Sequence, residues 1–254
     1  MLRDEIVEQL PAIAAGHYAA DIRIGLGYTA VRLEDGRCGL AYTLHEQEYE
    51  SCCVVAEAGT LTGRGVSELA EYMKSADTTA CAIGLASVNA AIDPPAGAVE
   101  ADILDLLPAG PEDSVGMVGY FGPLVGPLRA RARALHIFER RPNPELGVLP
   151  ESAAQELLPQ CQVVVLSATT LLNHTIDGLL DLCRSAREIA LLGPSTPFLP
   201  EVFSRHGVTI LSGLQVVDAS QVLRIVSEGG GTRQFGRAVR KLTLPQISPK
   251  RTPR

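Results

Sequence analysis

Residues 114–122 read SVGMVGYFG, an apolar run that leads directly into a turn spaced by glycines. Four similar runs follow it in the chain: ALHIFER (134–140), CQVVVLSA (161–168), EIALLG (188–193) and GVTILSG (207–213). Short apolar runs rich in β-branched residues predict buried strands. Helical patterns separate them, at about 123–131, 151–158, 175–184 and 200–206. This alternation predicts an α/β fold with a Rossmann-like, doubly wound and mostly parallel sheet.

The first hundred residues follow a different pattern. Apolar side chains at helical spacing predict a helix over 2–15. Residues 21–33 alternate by twos and meet Asp35-Gly36, which predicts a hairpin whose returning strand is 37–44. Helices are predicted over 66–75 and 78–92, the second capped by Asp77 and almost free of charge. The first part of the chain therefore reads as a small α+β unit.

The proline-rich segment 91–114 separates the two patterns. We therefore expect an α+β domain over 1–95 and a Rossmann-like domain over 112–244. The prolines and basic residues of 245–254 predict a disordered tail.

The formal charge is −7, with 22 basic and 29 acidic residues, and it is unevenly distributed. Residues 1–112 carry 6 basic and 18 acidic side chains (−12), and residues 113–254 carry 16 and 11 (+5). The acidic half would repel phosphate, which argues against nucleic acid as a partner of the whole chain. No GxxxxGK[ST], GxSxG or HExxH motif occurs, so these motifs point to no nucleotide, acyl-transfer or zinc-protease site.

The N-terminus has no apolar signal-peptide core, and the six cysteines form no CxxC pair. These features predict a reducing, cytoplasmic location. Residues 157–176 carry no charge, but they contain polar groups that argue against a membrane helix. We expect no membrane association, and the sequence is compatible with a homo-oligomer.

Two glycines of the first strand and turn, Gly116 and Gly119, would let the backbone approach a ligand. Glu139 ends the next strand, where a carboxylate of a Rossmann fold can bind ribose hydroxyls. This combination favours an adenine nucleoside as a cofactor. The glycines are also explained by close strand–helix packing, and their spacing departs from GxGxxG.

Small polar residues follow the third and fourth strands of this sheet, where open α/β sheets bind ligands. They are Thr169, Thr170, Asn173, Thr175, Ser195 and Thr196. Together with Asn89 of the buried N-terminal helix, they are candidates for a ligand site between the domains. The alternative is ordinary helix capping and turn chemistry.

A transition metal has weaker support. His45 and Glu46 lie close together after the hairpin, and His174 lies in the TTLLNHT segment. Imidazole and carboxylate groups are suitable ligands, but no recognised metal-site spacing is present. A solvated acidic loop explains residues 45–50 better than metal ligation does.

Taken in order, several segments resemble one known family. They are SVGMVGYFGPLV, VVVLSATTLLNHT, LLGPSTPFLPEVF and GVTILSGLQVVD, with IGLGYTAVRL and AIGLASVNA earlier in the chain. The chain is similar in these motifs to the “putative heavy-metal chelation” family of uncharacterised prokaryotic proteins. The resemblance implies an enolase-N-terminal-like α+β domain, a Rossmann-like domain and an active site in the cleft between them. Asn89, Glu139, Asn173, Thr175 and Ser195 lie in matching motifs, whereas His174 departs from the family's small residue.

Three hypotheses follow. The first is a small-molecule or metal-complex binding protein with an interdomain site, with a role in heavy-metal chelation. The second is a nucleotide- or S-adenosylmethionine-dependent transferase or oxidoreductase; the resemblance connects it with pterin or cobalamin-type metabolism. The third is a non-catalytic carrier or scaffold. The sequence does not decide whether the protein is an enzyme.

Overall fold

The computed structural model describes residues 1–44 and 54–247. Its helices are α1 (Leu2–Ile13), α2 (Val66–Ala70), α3 (Thr78–Ala91), α4 (Ile103–Leu106), α5 (Gly122–Arg131), α6 (Ala154–Leu157), α7 (Ile176–Leu182), α8 (Pro200–Arg205), α9 (Ala219–Ser227) and α10 (Thr232–Phe235). Its strands are β1 (Ala19–Ile24), β2 (Tyr28–Leu33), β3 (Cys38–Tyr42), β4 (Ser114–Val118), β5 (Ala134–Glu139), β6 (Val148–Pro150), β7 (Val163–Ser167), β8 (Glu188–Leu192), β9 (Ile210–Val216) and β10 (Val239–Leu244).

Seven strands form the large sheet, in the order β10-β9-β8-β7-β4-β5-β6. All neighbours are parallel except β9 and β10. The mixed α/β fold with a mostly parallel sheet is therefore confirmed, and the five predicted strands are all present.

Alternate side chains of each central strand enter two different cores. In β7, Val164 and Leu166 pack with α7 and α8, whereas Val163 and Val165 pack with α5. Because successive strand residues point to opposite faces, a strand that is apolar throughout needs cover on both sides. Helices on both faces supply that cover.

The small sheet is antiparallel, in the order β1-β2-β3. The β2–β3 hairpin around Asp35-Gly36 is as predicted, but the single strand expected over 21–33 was wrong. The chain turns between β1 and β2, where the Gly25 amide donates to the Tyr28 carbonyl at 2.9 Å. A Cβ on Gly25 would lie 2.1 Å from the Val226 carbonyl oxygen of α9, so the close approach of that helix requires glycine here.

Helix α3 is buried along nearly its whole length and packs on β2 and β3. The Asp77 carboxylate accepts from the backbone amides of Thr79 and Ala80 at 2.7 and 3.2 Å, as the sequence predicted. The capped helix begins beside the β7–α7 connection, where the Cys81 thiol donates to the Leu171 carbonyl at 3.8 Å.

The sequence predicted no helix or strand after the fifth of its predicted strands in the large sheet. The predictions therefore did not include α9, α10 or β10, and β6 was also missed. Helix α9 covers the small sheet with Val222, Leu223 and Val226, so the C-terminal part of the chain completes the core of the N-terminal part. Of the predicted tail, residues 245–247 are described: the Ile247 amide donates to the Thr209 carbonyl at 2.9 Å, which holds them against the sheet. Residues 248–254 lie outside the described residues.

The N-terminal half (residues 1–95) and the C-terminal half (residues 112–247) share one continuous apolar core. At their junction the Glu5 carboxylate binds Arg205 and His206 at 3.0 and 2.7 Å. The Asp177 carboxylate accepts from the Leu2 amide at 2.9 Å. The domain boundaries stay a prediction. Within 1–44 and 54–247, no helix has the length and apolar content needed to cross a bilayer.

Candidate functional site

Strands β4 and β7 are neighbours in the large sheet, and the strands that follow them diverge to opposite sides. Open α/β sheets bind ligands at such a reversal, beyond the carboxyl ends of the strands. Gly119 follows β4 with a φ of +96°, and Ser167 ends β7. A Cβ on Gly119 would lie 2.9 Å from the Ser167 Cβ. The two loops predicted to carry ligand groups therefore meet here.

Glu139 lies at the same edge, at the end of β5. Its Oε1 accepts from the Tyr120 amide at 2.7 Å, so the carboxylate holds the glycine-containing turn after β4. A ribose hydroxyl would share this carboxylate with the Tyr120 amide. Gly116 does not reach this edge. It lies within β4, where a Cβ would be 2.6 Å from Leu158 Cδ2. This contact favours the interpretation that Gly116 permits close packing of the strand.

The hydroxyls after β7 bind each other and the backbone. Thr169 Oγ1 is 2.8 Å from Ser167 Oγ, and Thr170 Oγ1 donates to the Ser167 carbonyl at 2.6 Å. Thr170 is buried, whereas Thr169 and Ser167 are half-buried. These bonds shape the 3-10 turn Ala168–Leu171. The Thr170 hydroxyl therefore already has a backbone partner, and Thr169 is the more accessible of the two threonines.

Asn173 and Thr175 act together at the start of α7. Asn173 Oδ1 accepts from the Thr175 amide at 3.3 Å and from its hydroxyl at 2.8 Å. This Asx-type turn is the capping interpretation of the motif. His174 between them has a φ of +65°, and its Nε2 is buried without a partner among the described residues. Burial lowers the pKa of His174, and the positive charge of Arg3 lowers it further.

Ser195 and Thr196 follow β8 and have different surroundings. Ser195 is 1% exposed, and its hydroxyl accepts from the Tyr42 amide at 2.8 Å, which fastens the loop to the end of β3. Thr196 is 3% exposed, and its amide donates to the Gly193 carbonyl at 3.0 Å. Its Oγ1 has no hydrogen-bond partner in the part of the chain that the structure describes.

Thr196 and Asn89 line the same cavity, of about 60 Å³, between the two halves. Asn89 Nδ2 donates to the Leu40 carbonyl at 2.8 Å, which fixes the amide against β3. Asn89 Oδ1 is buried and has no partner among residues 1–44 and 54–247. Two residues that line one small cavity and each carry a buried polar atom without a described partner are unusual, because each such atom carries a desolvation penalty of about 1–3 kcal/mol.

A larger groove of about 700 Å³ adjoins this cavity. The two have four lining residues in common: Arg37, Ile92, Asp93 and Phe198. The groove volume lies within the range of about 300–1,000 Å³ that is usual for small-molecule sites. Its walls are partly apolar, through Ile92 and Phe198, and partly charged, so it suits a polar organic molecule.

Arg37 organises the charged side of the groove. Its guanidinium lies 2.9 Å from an Asp35 oxygen, donates to the Ala91 carbonyl at 2.8 Å and lies 3.7 Å from an Asp93 oxygen. It also approaches both ring nitrogens of His17, at 2.7 and 3.0 Å. Arg37 is therefore held rigidly at the mouth of the cavity.

Sequence reasoning missed Arg37, Asp93, Phe198 and Gln215 as lining residues. Arg37 and Asp93 were seen only as parts of a hairpin turn and of a proline-rich boundary. Both come next to the cavity because α3 ends beside the start of β3, which is a property of the packing. Their only local signal is their position just beyond the ends of predicted elements.

The described residues fit a bare heavy-metal ion poorly. No group of three or more His, Cys, Asp or Glu side chains in 1–44 and 54–247 is arranged to hold a metal. Burial raises the pKa of the Cys38, Cys81 and Cys183 thiols to about 12 and that of Cys161 to about 11, so these thiols stay protonated. His45 and Glu46 lie outside the described residues.

Two family models match the chain, and both are described as “Putative heavy-metal chelation”. One matches residues 102–244 and the other residues 7–92. A curated relative, the uncharacterized protein MJ0500 of Methanocaldococcus jannaschii, is 32% identical over 132 residues. That match covers 51% of this chain and 51% of the relative, so the similarity spans about half of each protein.

Two crystal structures have the same fold. A DUF364-family protein of unknown function from Desulfitobacterium hafniense is 26% identical, with a TM-score of 0.80 over 96% of this chain and 97% of that one. A second protein of that family and of unknown function, from Pyrococcus horikoshii, is 23% identical, with a TM-score of 0.83 over 96% and 100%. The second similarity concerns the fold alone.

Proposed function

We propose, from the premise that this chain belongs to the family described as “Putative heavy-metal chelation”, that it binds a small polar molecule or a metal complex at the junction of its two halves. One observation carries the proposal. Asn89 Oδ1 and Thr196 Oγ1 are both buried, both lack a partner among the described residues, and both belong to residues that line the junction cavity.

The two atoms define what the ligand must offer. An amide oxygen only accepts hydrogen bonds, whereas a hydroxyl both donates and accepts. A ligand group with an N–H or O–H donor beside a carbonyl or imine acceptor would satisfy both atoms. The remainder of the ligand would lie along the adjoining groove, between its apolar walls and Arg37. This pattern describes a polar heterocycle or an amide better than a simple acid.

A metal would reach this site as part of a complex. The cavity lining offers hydroxyl, amide and carboxylate groups, which favour hard cations or the organic part of a chelate, together with the buried thiol of Cys38. Burial raises the pKa of the described thiols, so they are protonated in the free protein at neutral pH. The site's own residues would orient the organic part of the complex and exclude water from it.

Ligand titration of wild type and Thr196→Val tests the proposal. The probes are a series of purine and pterin heterocycles, and Co²⁺, Ni²⁺ and Zn²⁺ alone and as chelates, followed by calorimetry. We expect the ligand that binds wild type to bind Thr196→Val about tenfold more weakly, since one hydrogen bond contributes about 1.4 kcal/mol. The matched control is Thr170→Val, whose hydroxyl is bound by the fold. Equal loss in both variants, or no binding by wild type, would contradict the proposal.

Direct chelation is a separate arm of the experiment. Elemental analysis of protein purified without chelator measures the resident metal in wild type, His45→Ala and Glu46→Ala. A metal that disappears in either variant while Thr196→Val retains it would assign metal binding to residues 45–46. That result would mean that the junction cavity does not bind the metal.

A second candidate function is the binding of an adenine nucleoside at the β4–β7 edge, as in nucleotide- or S-adenosylmethionine-dependent enzymes. It is favoured by the Glu139 carboxylate, which is held 2.7 Å from the Tyr120 amide beside Gly119. Glu139→Ala should then weaken binding of S-adenosylmethionine or an adenine nucleotide about tenfold or more. Glu145→Ala is the control, because Glu145 is exposed in the 3-10 turn Pro144–Leu146. Identical binding by both variants would exclude the ribose contact.

A carrier or scaffold without a small ligand is the third hypothesis. It predicts that no probe of the series raises the melting temperature of wild type. It also predicts that Thr196→Val folds as wild type does and likewise binds no probe. The calorimetric series therefore separates all three hypotheses.

A further inference from the structure

A second cleft lies at the opposite side of the small sheet from α3, where α9 crosses β1 and β2. It has a volume of about 360 Å³ and shares no lining residue with the junction groove or its cavity. Its lining residues are Asp21, Arg23, Arg32, Ser220, Leu223, Arg224, Ser227 and Glu228. Three guanidinium groups therefore face two carboxylates.

The cleft is built by two regular patterns. The α9 residues recur at positions 220, 223, 224 and 227, which is one face of a helix, and Glu228 follows directly after its end. On the sheet, Asp21 of β1 stands opposite Arg32 of β2 in the antiparallel register. Because side chains that stand opposite each other share a face, both point toward α9. The positions of these groups are therefore fixed by the backbone.

Arg32 lacks the partner that its register suggests. Both oxygens of Asp21 are bound by Arg23, Oδ1 by Nε at 2.6 Å and Oδ2 by Nη2 at 2.9 Å. Arg23 is further held by the Ser227 hydroxyl, at 3.1 Å. Asp21 and Arg23 thus form a closed pair, and Arg32 stays outside it.

The charge of Arg32 is balanced only in part: Arg32 lies close enough to Asp21 to lower the pKa of that carboxyl, but the carboxylate oxygens are bound by Arg23. The Nε of Arg32 is buried and has no hydrogen-bond partner among the described residues. Its neighbour across the ladder on the other side is Cys38, and burial raises the pKa of that thiol to about 12, so the thiol carries no negative charge. A half-buried guanidinium whose Nε has no partner in the described part of the chain is costly unless an external anion binds it.

We propose that this cleft binds the phosphate group of a small phosphate ester, with the guanidinium groups of Arg32 and Arg224 as its ligands. Arginine binds phosphate oxygens through paired N–H groups, and two arginines can hold one phosphate from two sides. The Ser220 hydroxyl lines the cleft beside them and offers a further donor. A volume of about 360 Å³ leaves room for the organic part of the ester.

The position of the cleft gives the bound ester a further effect. Arg32 belongs to the N-terminal half, and Arg224 belongs to α9 of the C-terminal half. A phosphate held by both would join the halves, in addition to the Arg23–Ser227 bond that already crosses here. Ligand binding at this cleft therefore raises the stability of the docked arrangement.

Titration of the full chain with glycerol 3-phosphate and inorganic phosphate, at constant ionic strength, tests the proposal. We expect Arg224→Gln and Arg32→Gln each to bind both probes about tenfold more weakly, because a hydrogen bond to a charged group contributes about 1.5–3 kcal/mol. Arg184→Gln is the matched control; Arg184 is 77% exposed, pairs with Asp181 and belongs to neither β2 nor α9. It should bind as wild type does.

Three outcomes would overturn the proposal. They are no binding of either probe at concentrations up to about 10 mM, where a weak site would still bind, equal losses of affinity in Arg224→Gln and Arg184→Gln, or binding of succinate as tight as that of the phosphate probes. Arg224 is exposed, so Arg224→Gln decides the result even where Arg32→Gln unfolds. A second measurement follows the Arg32 Nε–Hε resonance, which should shift on phosphate addition. Thr196→Val should leave this binding unchanged, which separates this site from the junction site.

Discussion

Among the buried hydroxyls of this protein, those of Thr170 and Thr196 provide a direct comparison. Both threonines are 3% exposed, but Thr170 Oγ1 donates to a carbonyl at 2.6 Å and Thr196 Oγ1 has no partner in the described part of the chain. We expect Thr170→Val to lower the free energy of unfolding by about 1–2 kcal/mol. Thr196→Val should leave it unchanged or raise it by up to about 1 kcal/mol, since no bond is lost.

Urea unfolding of the two variants measures this difference. A residue kept for stability should destabilise the protein when it is replaced, whereas a residue kept for a ligand need not. A loss of about 1–2 kcal/mol in Thr196→Val, equal to that of Thr170→Val, would show that its hydroxyl has a structural partner.

Gly116 gives a second prediction at this scale. A Cβ at this position would lie 2.6 Å from Leu158 Cδ2 and 3.2 Å from Cys161 Sγ, both in buried residues. Gly116→Ala should therefore destabilise the protein by about 1–3 kcal/mol through overpacking. Gly126→Ala in α5 is the control; it meets nothing within 4 Å and should stabilise by about 0.5–1 kcal/mol. Equal melting temperatures for both variants would refute the packing role.

Sequence reasoning grouped the polar residues as one set of candidates but could not sort them. Asn173, Ser195 and Thr170 are bound by the fold itself, whereas Asn89 and Thr196 each keep an atom without a partner in the described part of the chain. Hydroxyl and amide groups satisfy backbone donors as readily as ligands, and only the final geometry shows which. The proposals for Gly119, Glu139 and Thr169 stay predictions.

At the scale of elements, the bond between Asp113 and Arg187 connects the start of β4 with the start of β8. The two carboxylate oxygens accept from the guanidinium at 3.0 Å each, and Arg187 also donates to the Pro108 carbonyl at 2.9 Å. This pair fixes the segment that joins the two halves. The hydrogen bonds from Arg187 lower the pKa of Asp113 below its ordinary value of 3.8.

A carboxyl group whose pKa is lowered by folding stabilises the fold at neutral pH. This stabilisation is lost as the pH falls from the ordinary pKa value through the lowered one. Asp113→Asn should therefore lose about 2–3 kcal/mol at pH 7. Its stability should also fall less steeply than that of wild type as the pH falls below about 4. Asp181→Asn, in an exposed pair, is the control and should change stability by at most about 0.5 kcal/mol. Parallel pH profiles for wild type and Asp113→Asn would contradict the role.

The elements that sequence predicted were those with a strong local signal. The five strands of the large sheet are continuous apolar runs, and Asp77 marks the start of α3 directly. The β1–β2 turn was missed because residues 21–33 keep their alternation through Gly25 and Gly27. Strand β10 was missed because it is an edge strand, with Arg240 and Lys241 exposed, and its pairing with β9 is set by tertiary contacts.

At the scale of the whole molecule, the two halves are joined by their cores. Helix α9 of the C-terminal half covers the small sheet of the N-terminal half, and one apolar cluster runs from α1 to α8. We expect calorimetry to show one unfolding transition, with a calorimetric to van't Hoff enthalpy ratio of about 1. A fragment of residues 1–95 should not fold alone, because it lacks α9. Two separate transitions, or a cooperatively folded fragment, would contradict this.

The charges of the halves also act at this scale. The −12 and +5 of the sequence meet in part at the junction, where Glu5 binds Arg205 and His206. Apolar packing supplies most of the contact, since exposed ion pairs contribute little. The charge difference in the sequence indicated that the two halves have surfaces of opposite charge. Only the fold shows where these surfaces meet.

The central claim is that the unpaired atoms at the junction bind a ligand. A crystal structure of protein purified without chelator, with anomalous data across the absorption edges of transition metals, tests it most directly. We expect electron density for a small polar molecule or a metal complex in the junction groove, within hydrogen-bond distance of Asn89 Oδ1 and Thr196 Oγ1. A junction filled only by water or by side chains, with ligand density confined to the β4–β7 edge beside Glu139, would contradict it.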